Sequence, residues 1–292
     1  TDTGQLLPET ERLIDGLASR ARRLVSCGIQ SFMLAEDLAG GQRTLHAVVA
    51  GDLHAGGAAL REVASTSGLT GVSMSSTSIG GPPTVVAGDP HVTDGVAAFL
   101  VSRDVGDFSL RRHPDAFFQA NRYLVPGLVA AVERLTVGEQ VVDLYSGVGL
   151  FAVSITAARG GRMTAVERDP AATRDLVFNA NPLIPAISLV RTSVEAYLER
   201  TDSLRGAAVI VDPPRTGLSP EVAVRLTRCC PDRIVYVSCD VATQARDLRV
   251  LTAAGYRLAQ MHAFDMFPNT PHVETVVTLD RAGGPSRQDP ET

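Results

Sequence analysis

Lysine is absent from this chain of 292 residues, so apart from histidine every basic side chain is an arginine. The formal net charge is −5, which excludes a generally basic nucleic-acid binder. Any anionic partner must be met by a local arginine patch, whose planar guanidinium groups grip phosphates bidentately. Cysteine is scarce too: Cys27, Cys229, Cys230 and Cys239 are the only ones, and none stands in C-x-x-C spacing. That argues against a zinc site or a disulfide framework, and no other metal-ligand set stands out. A reduced, cytoplasmic chain is the simple reading. No run approaches the ~20 apolar residues of a membrane helix. The N-terminus lacks the basic-then-apolar pattern of a secretory signal and begins at Thr1 rather than methionine, so the start reads as trimmed or incomplete. With 45% hydrophobic residues the chain can bury two modest cores, and a charged fraction of 20% speaks against disorder. A monomer is expected.

The chain divides by its patterning. Apolar residues Leu13, Ile14, Leu17, Ala21 and Leu24 share one face of a helix expected over 10–25. Strands are expected at 30–34 and 44–50, a helix at 57–65, a Gly/Ser/Thr/Pro-rich loop over 73–83, and a strand pair at 96–102 and 107–111. Residues 1–112 therefore read as a smaller α+β domain. From His113 the pattern changes. A helix over 119–135 precedes a strand at 140–144, and further strands at 162–166, 187–190, 207–211 and 233–237 alternate with helices. This is the signature of a parallel sheet covered on both faces. Strands at 257–263 and 274–279 follow with no helix between them, so the sheet closes on an antiparallel hairpin. The reading for 113–282 is an α/β, Rossmann-like domain, and 283–292 reads as a disordered tail.

Asp143-Leu-Tyr-Ser-Gly147-Val-Gly149-Leu-Phe-Ala152 follows the first strand of that sheet and opens a helix. Glycines there allow a tight turn and close approach to a ligand. Tyr145 lies inside the loop, and Glu167, ending the next strand, can accept hydrogen bonds from ribose hydroxyls. The pattern also fits a dinucleotide fingerprint with an acid about 20 residues on, so NAD and S-adenosylmethionine both stay open on the loop alone. Asp143 leans toward the second: a carboxylate repels a pyrophosphate and attracts the cationic end of the methyl donor.

Three further segments follow strands, where open α/β sheets bind ligands. Asp212-Pro213-Pro214-Arg215 ends a strand with two residues that lack N–H donors, which stiffens the loop and holds Asp212 at the sheet edge. Ser238-Cys239-Asp240 puts a thiol at a strand end before a helix, whose dipole can raise the thiolate fraction. Without context, a buried inert thiol fits Cys239 as well. His272-Val273-Glu274-Thr275 places an acid at the start of the last strand, facing the same cleft. Upstream, Phe117-Phe118-Gln119-Ala120-Asn121 offers aromatic surface and, in Gln119, a donor and acceptor suited to a base edge.

Taken in order, these five segments resemble the TrmA/RumA family of RNA (uracil-5-)-methyltransferases, over about 117–279. The resemblance implies a class I methyltransferase domain, S-adenosylmethionine as cofactor, no iron–sulfur cluster, and RNA as partner. It implies Cys239 as nucleophile and Glu274 as the base that removes the carbon-5 proton. Gln119, Tyr145, Gly147, Gly149, Glu167, Ser193 and Asp212 would line the cofactor site. Phe118, Asn121, Asp212 and Arg215 would face the substrate, Arg215 supporting Asp212. Two features depart from the family. Val241 stands where many members have proline. Neither an N-terminal TRAM-like barrel nor a four-cysteine motif is present, which leans the target toward ribosomal rather than transfer RNA. Arg103, Arg111, Arg112 and Arg122, or Arg20, Arg22 and Arg23, are the candidate phosphate patches. The competing readings are a cytosine-C5 RNA methyltransferase, an NAD-dependent dehydrogenase that would leave Asp212 to Arg215 and Ser238 to Asp240 without a role, and a non-catalytic RNA-binding module.

Overall fold

A computed structural model describes residues 5–100 and 105–283. Arg103 and nearly all of the expected tail lie outside the described residues. The chain forms two compact units, Thr1–Asp94 with Arg111–Phe118, and Gly95–Leu110 with Gln119–Thr292. It therefore passes from unit to unit at 94/95, 110/111 and 118/119, rather than at one boundary after residue 112.

In the first unit, α1 (Pro8–Ser19) and α2 (Ala21–Ser26) replace the single expected helix, which breaks at Arg20. A four-stranded sheet has the order β1 (Ile29–Glu36), β2 (Arg43–Val49), β3 (Gly71–Ser76), β4 (Thr84–Gly88). β2 and β3 run parallel and are joined by α3 (Leu53–Thr66), whose N-terminus is capped by Asp52 accepting from His54 N. Residues 73–76, expected as loop, are strand because their pairing with β2 outweighs their Gly/Ser composition. Leu45, Ala47 and Val49 of β2 pack with Leu60, Val63 and Val72 in the core.

A polar chain also runs through this unit. Asp115 N donates to His113 Nδ1, so His113 bears its proton on Nε2 and donates to Ser73 Oγ at 2.8 Å. Ser73 then donates to His46 Nδ1 at 2.9 Å, and His46 Nε2 donates to Ser75 Oγ at 3.0 Å. Arg112, a candidate phosphate ligand, is buried: it pairs with Asp94, donates to Glu36 O and lies over the Phe118 ring, 4.0 Å from its centroid. Its guanidinium is spent inside the unit. Arg23 pairs with Glu62, and Arg20 donates to Thr66.

β5 (Val92–Gly95) and β6 (Ser109–Arg112) pair as a short ribbon. Residues 96–99, expected as strand, form a 3-10 turn instead.

The second unit is built on seven strands: β7 (Gln140–Leu144), β8 (Arg162–Glu167), β9 (Ile187–Arg191), β10 (Ala208–Val211), β11 (Arg233–Ser238), β12 (Tyr256–Phe264) and β13 (Glu274–Arg281). Their spatial order is β12-β13-β11-β10-β7-β8-β9. β7 to β11 pair in parallel, and β13 runs antiparallel between β11 and β12. This is the expected α/β, Rossmann-like sheet with its antiparallel close. Every residue of β10 is buried, so both faces are covered. The helices are α4 (Val125–Leu135), α5 (Leu150–Arg159), α6 (Pro170–Ala180), α7 (Val194–Glu199), α8 (Pro220–Cys229) and α9 (Val241–Ala253). Asp169, Ser193, Ser219 and Asp240 each cap the helix that follows. α4 starts six residues later than expected. Pro126 sits in its first turn and disfavours helix immediately before it, and Asn121 Oδ1 accepts from Tyr123 N in a turn of its own.

Candidate active site

β11 is buried along its length and ends at Ser238. Ser238 Oγ accepts from Asp240 N, and the Asp240 carboxylate accepts from Ala242 N and Thr243 N to start α9. Those bonds hold the Asp240 carboxyl below its usual range. Cys239 is pinned between strand and helix with its thiol half-buried. Helix-dipole reasoning anticipates a lowered thiol. The opposite holds: burial pushes the thiol up, the Glu274 and Asp212 carboxyls add to this, and the Arg215 guanidinium opposes it.

The register of β13 explains why Glu274 lies there. Ser238 pairs with Thr275, so the antiparallel ladder sets Glu274 opposite the residue after β11, which is Cys239. Thr275 Oγ1 lies 2.7 Å from Gln244 Oε1 and 3.2 Å from Ser238 O, while Gln244 Nε2 donates to Tyr236 O. Thr275 and Gln244 thus tie the start of β13 to α9. Motif reading passed over both; Thr275 was visible beside Glu274, whereas Gln244 looked like an ordinary helical residue. Glu274 is 2% exposed, and burial raises its carboxyl from 4.5 to about 7.

Two more carboxyls are close enough to interact. Burial, then Glu274 and Asp143, push Asp212 well above the usual carboxylate range. Asp143 is fully buried and raised to about 7, by burial first, with Glu167 adding to the rise. One of its oxygens accepts from Ala152 N of α5 at 3.1 Å, and the other, Oδ1, has no partner. An unpaired carboxylate oxygen among three raised carboxyls favours a cationic ligand and disfavours a pyrophosphate.

The glycine loop divides its work. Gly147 has φ +56°, and a Cβ there would meet nothing within 4 Å, so its face is open to a ligand. Gly149 has φ +95°, and a Cβ would stand 2.8 Å from Leu176 Cδ1, so it serves packing against α6. Tyr145, although not glycine, takes φ 63°, a strained turn directly after β7, and packs against the core of this unit. Glu167 accepts from Gly147 N, Arg168 N and Asp169 N, anchoring the loop and leaving about one lone pair, on Oε2, for a hydroxyl.

Of the remaining candidates, Gln119 is buried, and Ser193 caps α7. Arg215 is exposed; its charge acts on Cys239, whereas the carboxyls that act on Asp212 are Glu274 and Asp143. Asn121 is buried and reaches Asp265 O and Met266 O at 3.4 and 3.5 Å, so its amide holds a loop of its own unit. Phe118 belongs to the other unit, beneath Arg112, and its neighbour Phe117 is 76% exposed. Among the described residues no group of three or more His, Cys, Asp or Glu could hold a metal ion, and no helix is long and apolar enough to cross a membrane.

Comparison with known proteins adds a family match. The model of the tRNA (Uracil-5-)-methyltransferase family matches residues 99–282, well over half of the chain. A tRNA (uracil(54)-C(5))-methyltransferase of Pyrococcus abyssi is 42% identical over 168 residues, covering 57% of this chain and 39% of that protein. A 23S rRNA (uracil(747)-C(5))-methyltransferase of the same organism is 34% identical over 202 residues, covering 69% of this chain and 45% of its own length. The chain thus spans less than half the length of these curated relatives. Among solved structures, the P. abyssi tRNA (uracil-54, C5)-methyltransferase in complex with S-adenosyl-L-homocysteine is similar with a TM-score of 0.68 and 26% identity, over 93% of this chain and 66% of that one.

Proposed function

This chain belongs to the tRNA (uracil-5-)-methyltransferase family, and we propose that it transfers a methyl group from S-adenosylmethionine to carbon 5 of a uracil in RNA. The observation that carries the proposal is that Cys239 follows β11 and Glu274 opens β13 where Ser238 pairs with Thr275, which leaves the carboxyl close enough to act on the thiol. That chemistry needs one nucleophile and one base, and the pair provides both.

The residues present fit the methyl donor. Asp143, with its unpaired buried oxygen, and Asp212 suit a cationic group, the open face of Gly147 gives access, and Glu167 has a lone pair for a hydroxyl. Tyr145, Gln119, Gly149 and Ser193 complete the proposed wall. When bound, S-adenosylmethionine supplies an electrophilic methyl on a cationic sulfur.

Carbon 5 of uracil is a weak nucleophile. Cys239, as thiolate, adds to carbon 6; the ring becomes an enolate, and carbon 5 gains the electron density to take the methyl. Carbon 5 then carries both the methyl and its original proton. Glu274 accepts that proton, the carbon 5–carbon 6 double bond re-forms, and the Cys239 sulfur leaves. Raised to about 7 by burial, Glu274 is poised to accept a proton near neutral pH. Arg215 favours the thiolate against the two acids that oppose it. The target base must leave its stack to reach the thiol, at a cost of a few kcal/mol, which suits a uridine in a loop.

The test uses RNA containing 5-fluorouridine, in which fluorine replaces the proton Glu274 must remove. The wild-type chain with S-adenosylmethionine should form an adduct that survives a denaturing gel, and Cys239→Ala should form none. Failure of the wild-type chain to trap transfer and ribosomal RNA transcripts alike would remove Cys239 as nucleophile.

A further inference from the structure

The segment carrying Arg215 closes a single turn of its own, Gly217 N donating to Pro214 O at 2.8 Å, and is otherwise poor in internal bonds. Pro213 and Pro214 have no N–H to donate, and β10 ends at Val211, before them. The rest of its backbone is held by one face of α9. Thr243 Oγ1 lies 3.1 Å from both Arg215 O and Asp240 O and shares its proton between them. Arg246 Nη2 donates to Thr216 O at 2.9 Å and to Leu218 O at 3.1 Å. Leu218 N donates to Asp247 Oδ2 at 2.7 Å. The buried Asp247 carboxylate also accepts from Tyr236 OH of β11 at 2.7 Å. Gly217 shows how close the seat is: φ is +73°, and a Cβ there would lie 2.5 Å from Asp247 Oδ2 and 2.6 Å from Arg246 Nη2.

α9 begins two residues after Cys239, and Tyr236 stands three residues before it, so the grip and the thiol share one rigid strand-to-helix corner. We propose that Thr243, Arg246 and Asp247 are positioning residues for the nucleophile, seating the 215–218 turn against the helix that follows Cys239 and so keeping the Arg215 charge near the thiol. The inference rests on the reading of Cys239 as nucleophile. The charged groups facing the thiol are Arg215, which favours its ionised form, and Glu274 and Asp212, which oppose it. Of these, Arg215 alone is exposed on a turn, so its effect depends on where the turn is held.

The experiment follows iodoacetamide alkylation of Cys239 against pH by mass spectrometry of its peptide, on the whole chain without RNA. Arg215→Gln should raise the alkylation midpoint, leaving roughly three- to tenfold less thiolate at pH 7.5. Thr243 and Arg246 are not fully buried, but Arg246 also pairs with the buried Asp247, which in Arg246→Met keeps only Leu218 N and Tyr236 OH; thermal unfolding of both variants therefore accompanies the alkylation, and Thr243→Val carries the test if Arg246→Met does not fold. Each should move the midpoint the same way, by at least about twofold in thiolate. On an Arg215→Gln background neither should move it further, because the effect runs through the guanidinium. Unchanged midpoints in both clamp variants, or an equal shift on the Arg215→Gln background, overturn the proposal. The two readings fail separately. A 5-fluorouridine adduct with unshifted midpoints sinks the clamp alone, whereas shifted midpoints without an adduct sink the nucleophile alone.

Discussion

Replacing Glu274 by glutamine separates two consequences of burying one carboxyl. With its carboxyl raised to about 7, Glu274 is about half ionised at pH 7 and roughly one-tenth ionised at pH 6. If it takes the carbon-5 proton, that step should slow about tenfold from pH 8 to pH 6. Glutamine has no basic oxygen, so Glu274→Gln should slow the step by about 10²- to 10⁴-fold and remove this pH dependence. Addition of Cys239 should survive, because the Glu274 charge pushes the thiol up and its loss eases ionisation. The variant should therefore accumulate covalent RNA while releasing little tritium from RNA labelled at uracil carbon 5. Stability should move the other way. The native carboxyl titrates at about 7 and the unfolded one near 4.5, so between these values the native state holds the extra proton. Stability from this group is complete below pH 4.5 and is lost as pH rises through 7, a difference of roughly 3 kcal/mol at most. Glu274→Gln should match the wild-type Tm at pH 5 and exceed it by several degrees at pH 8. Undiminished tritium release, or one Tm difference at both pH values, would refute the reasoning.

Arg112→Ala should destabilise the first unit by about 3–5 kcal/mol in thermal unfolding, since it strands Asp94 as an unpaired buried charge. The salt dependence of RNA binding should not change; a flatter slope with an unaltered Tm would put Arg112 on the RNA instead. His46 is held below its ordinary 6.5 mainly by burial, opposed by Asp115, so the unfolded chain takes up a proton first. Its contribution to stability is full above about pH 6.5 and shrinks as pH falls toward the native value, and His46→Gln should flatten that part of a Tm-against-pH curve. Gly149→Ala should cost about 1–3 kcal/mol of stability through strain and the clash with Leu176. Gly147→Ala, with open space above it, should chiefly weaken S-adenosylmethionine binding in calorimetry; equal effects of the two variants on both readouts would remove the division of labour.

The second unit was legible because its strands are short β-branched runs bounded by prolines, glycines and caps. The expected strand at 140–144 matches β7 residue for residue, and the closing hairpin followed from the missing helix between 264 and 274. Errors gathered where tertiary pairing decides. β3 is strand because β2 offers it a parallel edge, a contact no local window contains. Arg112 reads as a surface cation until Asp94 and Glu36 are seen around it, eighteen and seventy-six residues away in the chain. Motif residues at strand ends were visible from chemistry alone, but the side chains that support them were not. Thr243, Gln244, Arg246 and Asp247 are polar residues in a helix, and only the fold shows that their partners are the 215–218 turn and Thr275.

The glycine fingerprint left the ligand open for a physical reason: glycine fixes how closely a backbone can approach, and says nothing about charge. The sign of the ligand is set by what lies behind the loop. Asp143 is committed to Ala152 N through one oxygen and leaves the other unpaired, a costly arrangement for a buried carboxyl. Glu167 raises the cost at Asp143, and Glu274 and Asp143 raise it at Asp212, because a carboxyl that ionises makes its neighbour harder to ionise. A pyrophosphate would add negative charge to that cluster, whereas a sulfonium and an ammonium would relieve it. The same field bears on Cys239, whose thiolate is opposed by Glu274 and Asp212 and favoured by Arg215. A cation seated among the carboxyls would weaken the opposition, so the donor's charge and the nucleophile's ionisation belong to one electrostatic problem.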